Sequence, residues 1–274
     1  MKSKYRTLFG VAMAAMAAMA AMALLAPLAQ ATTPAKGYEQ FAGCPSPSEN
    51  PTIEGCIRSV IKSGNFKMGS KNVPITNPMT LSGGVNGELG GFAANAKGGF
   101  PPVKQLVPGG VIGITGLDWL VNFLSLEGLK LYAVTELVGP PKLGEGISLP
   151  VRVHLINPVL GNSCYVGSPA SPIKLNLIEG TTSPPPPNKP ISGKAAEFSF
   201  NPATEITSFN NGTYVDNSFS APGASGCVLT LFGFIPISIN GLVNSTAGLP
   251  AAAGTNETIQ NIDIEIAPSS RVYP

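Results

Sequence analysis

Between Ile147 and Leu155 the chain alternates without a break, with Ile147, Leu149, Val151, Val153 and Leu155 set against Ser148, Pro150, Arg152 and His154. A period of two with one apolar face is the signature of a strand half-buried in a sheet. Asn157-Pro158 ends the run. After a turn-rich connection that holds Cys164, Ile173, Leu175 and Leu177 alternate with Lys174 and Asn176, and these two strands are the expected centre of the fold. The same pattern returns at Ile262, Ile264 and Ile266, with Asp263 and Glu265 giving an acidic outer face. Leu129, Leu131, Ala133, Thr135 and Leu137 predict one more strand with a single apolar face.

Less regular segments fill in the rest. Ile57 to Met68 predicts strands around a Ser63-Gly64-Asn65 turn, while Pro74 and Pro78 confine Val73 to Leu81 to edge positions. Ser82-Gly83-Gly84 to Gly98-Gly99 is glycine-rich and predicts a loop. Short strands are expected at Glu197 to Phe200, Ile206 to Phe209 and Tyr214 to Phe219, the last two separated by the hairpin signal Asn210-Asn211-Gly212. Val228 to Ile239 is the most apolar stretch after the leader and reads as a central strand bent at Gly233 and Pro236. Only Leu117, Leu120, Val121 and Leu124 fall at helical spacing, with Asp118 in the first turn and Gly128 to stop it. The predicted class is therefore all-β, an antiparallel β sandwich with Gly/Pro-rich loops and one short helix near residues 117–126.

At the N-terminus, Lys2, Lys4 and Arg6 precede an apolar run that ends in Ala29-Gln30-Ala31, the order of parts in a signal peptide cleaved after Ala31. Thr7 to Ala26 is also long enough to span a bilayer, at about 20 residues, but Pro27 and the small-residue site favour cleavage. No transmembrane segment is expected after that cleavage. Removing the leader's three basic residues from the chain's 17 leaves 14 against 15 acidic ones, and these are scattered, so nucleic acid is not an expected partner. The expected organisation is a signal peptide at 1–31, a Pro-rich arm at 32–56 and a β-sandwich domain at 57–274. Thr181 to Pro190, with its four consecutive prolines, reads as a linker or as a stiff excursion within 181–193.

Four cysteines remain: Cys44, Cys56, Cys164 and Cys227. Export to an oxidising compartment makes two disulfides the expectation, and of three possible pairings Cys44 with Cys56 and Cys164 with Cys227 is the one predicted. On the chain-entropy model those bonds contribute about 3 and about 4 kcal/mol. The cysteines lack zinc-ligand spacing, the acidic residues lack a calcium-loop pattern, and the glycines lack a phosphate-loop fingerprint, so no metal or cofactor is implied.

His154, the chain's single histidine, lies on the polar face of its strand and is expected to be structural, because no nucleophile motif accompanies it. No catalytic residue is assigned. Three sequons, at Asn211, Asn244 and Asn256, are about as many as chance supplies in a chain so rich in Asn, Ser and Thr. A carboxylate-dependent glycoside hydrolase needs no histidine, and Glu127, Glu136, Glu145, Glu179, Glu197 and Glu205 are its candidates.

The segments Phe66 to Ile75, Asn157 to Gly167 and Asn188 to Gly193, in that order, make the chain similar to uncharacterised secreted proteins of actinobacteria. The similarity covers most of the chain after the leader and implies compartment, not chemistry. The expected function is that of a secreted or cell-surface non-enzymatic β module with a binding or envelope-structural role, whose partner is an extracellular or envelope component. Two alternatives stand beside it, the glycoside hydrolase and a carrier of an apolar ligand that uses the Trp119 segment or the Val228 to Ile239 strand as a pocket wall.

Overall fold

The computed structural model describes residues 32–87, 91–110, 128, 130–144 and 146–274. The predicted leader at 1–31 and the predicted helix at 117–126 with Trp119 lie outside them. The chain lays down one sheet, then a second, and then returns to the first. β1 (Gly55–Met68), β2 (Lys71–Ile75), β3 (Met79–Val85) and β4 (Phe92–Ala93) belong to the first. β5 (Lys104–Leu106), β6 (Tyr132–Leu137), β7 (Lys142–Leu143), β8 (Ile147–Ile156), β9 (Tyr165–Val166) and β10 (Ile173–Leu177) build the second. β11 (Glu197–Asn201) and β12 (Ile206–Asp216) rejoin the first, and β13 (Ala224–Ser225) extends the second. Among the described residues β14 (Val228–Leu231) and β15 (Ile235–Ser238) pair only with each other; helix α1 (Asn240–Ala247), β16 (Glu257–Pro268) and helix α2 (Ser269–Val272) follow.

Each sheet has seven strands, ordered β11-β12-β16-β1-β3-β4 with β2 also on β1, and β13-β9-β8-β6-β5 with β7 and β10 also on β8. All pairings are antiparallel, as the alternating patterns require. Burial along β8 alternates through all ten residues, with Val151 fully enclosed. β10 repeats the pattern and pairs Ile173 with Val151 and Leu177 with Ile147. β16 lies between β1 and β12, so Ile262 and Ile264 face inward while Asp263 and Glu265 face out to Lys62 at 2.8 Å and Arg58 at 3.4 Å. The apolar faces of the two sheets meet in one core.

Several local expectations are corrected. Ser63-Gly64-Asn65 is not a turn, because β1 runs through it as a single 14-residue strand with a bulge between Ile61 and Ser63. The bulge gives Gly64 a φ of +143°, and a Cβ there would collide with the carbonyl of Ile259 on the neighbouring strand, so only glycine fits. Asn210-Asn211-Gly212 is likewise a bulge inside β12. The outer carboxylate of Asp263 holds both irregularities, accepting the Asn211 N–H at 2.7 Å while paired with Lys62. Ser82-Gly83-Gly84 belongs to a buried strand, and Gly84 is bare because the side chain of Ile53 occupies the space a Cβ would take.

The N-terminal arm also differs from an extended tail. Tyr38, Phe41, Cys44, Ile53 and Cys56 form a second small core with Ala267, Val272 and Tyr273 from the C-terminus. Tyr273 donates its hydroxyl to the Cys44 carbonyl at 2.7 Å. The proline-rich excursion folds back on the body: Thr182 is buried, and Asn188 donates to the carbonyls of Asn217 and Asn256. Both disulfides are formed, Cys44 to Cys56 and Cys164 to Cys227.

The largest correction concerns Val228 to Ile239, expected as a central strand. It folds back at Phe232 and Gly233, both at positive φ, into an isolated hairpin that leaves Phe232 85% and Phe234 73% exposed. α1 follows it, a helix that the apolar spacing did not announce. Its one readable sign is Gly248, the left-handed residue that ends it. No helix among the described residues is long and apolar enough to cross a membrane.

Candidate functional site

Between the sheets the described residues leave the core unfilled. An apolar cavity of about 140 Å³ lies there, walled by Ile61 and Phe66 of β1, Leu149, Val151 and Val153 of β8, and Val243 of α1. Its existence follows from the way the layers meet. α1 leans on one end of the space through Ile239, Val243 and Ala247, which pack on the core while Leu242 remains 64% exposed. Leu131, Ala133 and Thr135, all on the face predicted to be apolar, also line it. A void of about 150 Å³ lined by such side chains stays dry and takes up benzene or xenon, so this one can hold a compact apolar group or the end of a chain.

Few polar side chains reach the cavity. Those lining it are Lys71, Gln105, Thr135, Thr246 and Gln260. Gln105 is held at both ends: its carbonyl accepts the N–H groups of Thr76 and Asn77 at 3.0 Å and its amide donates to the Asn77 carbonyl at 2.6 Å. Thr246 donates back to Leu242 within α1. Gln260 donates to the Thr258 hydroxyl at 3.1 Å, but its Oε1 is buried and accepts nothing. The Thr258 hydroxyl spends its own proton on the Asn65 carbonyl at 2.8 Å, which fixes the Gln260 amide with nitrogen toward Thr258.

Each described candidate carboxylate is held by a partner. Glu136 is held by Arg152 at 2.7 Å and stands 3.6 Å from His154. Glu179 accepts the Ala196 N–H at 2.9 Å and the hydroxyl of Tyr214, which burial together with this bond pushes up in pKa. Glu197 meets Lys194 and Asn211, and Glu205 pairs with Arg271, which holds its carboxyl below the usual range. Glu127 and Glu145 lie outside the described residues.

His154 stacks on Tyr165 with ring centroids 4.3 Å apart, and the Arg152 guanidinium lies 4.1 Å from the centre of the same ring. Glu136, Arg152, His154 and Tyr165 thus form a paired outer-face cluster that rigidifies β8 against β6 and β9. The described residues include no group of three His, Cys, Asp or Glu side chains that could hold a metal.

Among the buried polar residues that sequence reasoning missed are Asp216 and Asn256. Asp216 accepts the N–H of Asn176 at 2.7 Å and that of Ser218 at 2.8 Å, clasping the end of β12 to β10 of the other sheet, and burial raises its pKa. Asn256, read only as a sequon, is fully buried and ties Gly69, Phe219 and Ala252 together. The distant part of each role, Asp216 toward Asn176 and Asn256 toward Gly69 and Phe219, has no local sequence signal. No protein-family model, curated protein or solved structure matches the chain.

Proposed function

We propose that the protein is an exported, non-enzymatic β module that holds a small apolar ligand, or the apolar end of a larger one, between its two sheets. The cavity of about 140 Å³ carries this reading, because packed interiors hold few voids larger than a water molecule. Export is supported by the leader pattern and by two disulfides, which persist in oxidising compartments. The bare hairpin of β14 and β15 would supply the surface on which the module meets an envelope component. Nothing in the carboxylate settings favours hydrolysis over binding.

The reading is tested by titrating the purified protein with 1-octanol. Saturable one-site binding is expected, with a rise in Tm that grows with concentration and approaches the equivalent of about 2.7 kcal/mol at one hundred times Kd. A protein whose Tm and heat of titration ignore the alcohol and comparable hydrocarbons does not have this function.

A further inference from the structure

Among the described residues the hairpin of β14 and β15 pairs with no other strand, and every residue from Leu231 to Ser238 is exposed. Its apolar side chains are weighted toward the tip. Phe232 and Phe234 stand in the turn, which the Phe234 N–H closes on the Leu231 carbonyl at 3.2 Å. Leu231, Ile235 and Ile237 follow on one face, where the register sets Leu231 opposite Ile235. The base is held firmly. Cys227 is bonded to Cys164, its N–H donates to the Asn240 side chain at 2.8 Å, and its carbonyl accepts the Ile239 N–H at 3.0 Å. A tip on so fixed a stem can be buried with little further ordering.

Size and charge decide what can bury it. The two rings together expose on the order of 300 Å², taking about 200 Å² for a whole aromatic side chain, whereas a stable protein partner or second copy needs about 800 Å² on each side. From Asn217 to Asn256 the sequence contains no charged residue, so the hairpin and α1 offer no ion pair to a charged partner and carry no charge that hydrocarbon would have to desolvate. Each strand has four residues, about 13 Å at about 3.3 Å per residue, which reaches the acyl boundary of a bilayer without crossing a core of about 30 Å. Resting on the reading of this hairpin as the surface that meets the envelope, we infer that the component it meets is a lipid bilayer, entered tip first by Phe232 and Phe234. β14 also packs on the turn Pro158–Leu160, whose Val159 is exposed and lines the cavity, so insertion brings the cavity wall close to the phase in which an apolar ligand dissolves.

The test is flotation of the purified protein with vesicles of dioleoylphosphatidylcholine, which carry no net charge. Wild type should float with them equally well at about 0.05 and about 0.5 M NaCl, because no ion pair is involved. The double variant Phe232→Ser, Phe234→Ser should partition at least about tenfold more weakly, since each lost ring forfeits its transfer free energy. Phe198→Ser with Phe200→Ser, which removes two exposed rings of β11, should float as wild type does. The inference is overturned if wild type does not float, if it floats only with anionic vesicles at low salt, or if the β11 pair matters as much as the hairpin pair. A dimer seen by sedimentation equilibrium in place of flotation, and lost in the hairpin variant, overturns it too. Titration of the same sample with 1-octanol separates the two readings: octanol bound without flotation removes the bilayer and leaves the cavity, and neither event removes both. If the double variant does not fold, Phe232→Ser alone, at the most exposed position, should still weaken flotation.

Discussion

Replacing Val153 with Phe puts the cavity to a test that needs no ligand. Val153 is 3% exposed, stands at the middle of β8 and lines the void. In a filled core the added ring would force its neighbours apart at a cost of about 1–3 kcal/mol. Here it has somewhere to go. If the ring takes up about a third of the space, the cavity coefficient of about 24 cal/mol per Å³ returns about 1 kcal/mol, so Val153→Phe should be neutral or stabilising by about that amount. Ile173→Phe is the control, since Ile173 is fully buried on the adjacent strand β10 but does not border the cavity. That variant should lose about 1–3 kcal/mol. Urea unfolding monitored by circular dichroism gives both numbers, and m should be unchanged if only the native state is affected. The filled variant should also lose the Tm response to 1-octanol. If Val153→Phe costs as much as Ile173→Phe, the space is not open to a side chain and the reasoning fails.

Two further outcomes are expected. Removing Cys164 and Cys227 together should cost about 1.5 kcal/mol more than removing Cys44 and Cys56, because the bonds close loops with sequence separations of 63 and 12 residues and the constant part of the entropy cancels. Equal losses in urea titrations of the two double alanine variants would show that strain or packing, not loop closure, dominates. The double variant Phe232→Ser, Phe234→Ser should alter stability by no more than about 0.5 kcal/mol, since both rings are exposed, while weakening retention on a hydrophobic-interaction column. A large fall in Tm would mean that the hairpin is packed against the body.

What the chain's own pattern determined is the class of fold and its inner faces. The alternation at Ile147 to Leu155, Ile173 to Leu177 and Ile262 to Ile266 is local, and a side-chain period of two leaves a strand one way to bury its apolar set, so those faces could be read directly. Two cysteines near the N-terminus and two far apart likewise pointed to the bonds that are formed. Glycine was the ambiguous letter. At Gly64 and Gly212 it marks bulges within long strands, at Gly84 it makes room for Ile53, and at Gly233 it lets the most apolar segment turn back on itself. These uses look alike in sequence because glycine reports a constraint on the backbone without saying which neighbour imposes it.

Burial of Val228 to Ile239 depended on whether another strand lay beside it, and only the tertiary structure decided that, among the described residues, its two halves pair with each other alone. The same holds for the site. Leu149, Val151 and Val153 had to face inward by their period, but whether the opposing side chains of β1 and α1 would meet them or leave a space is set by the distance between layers.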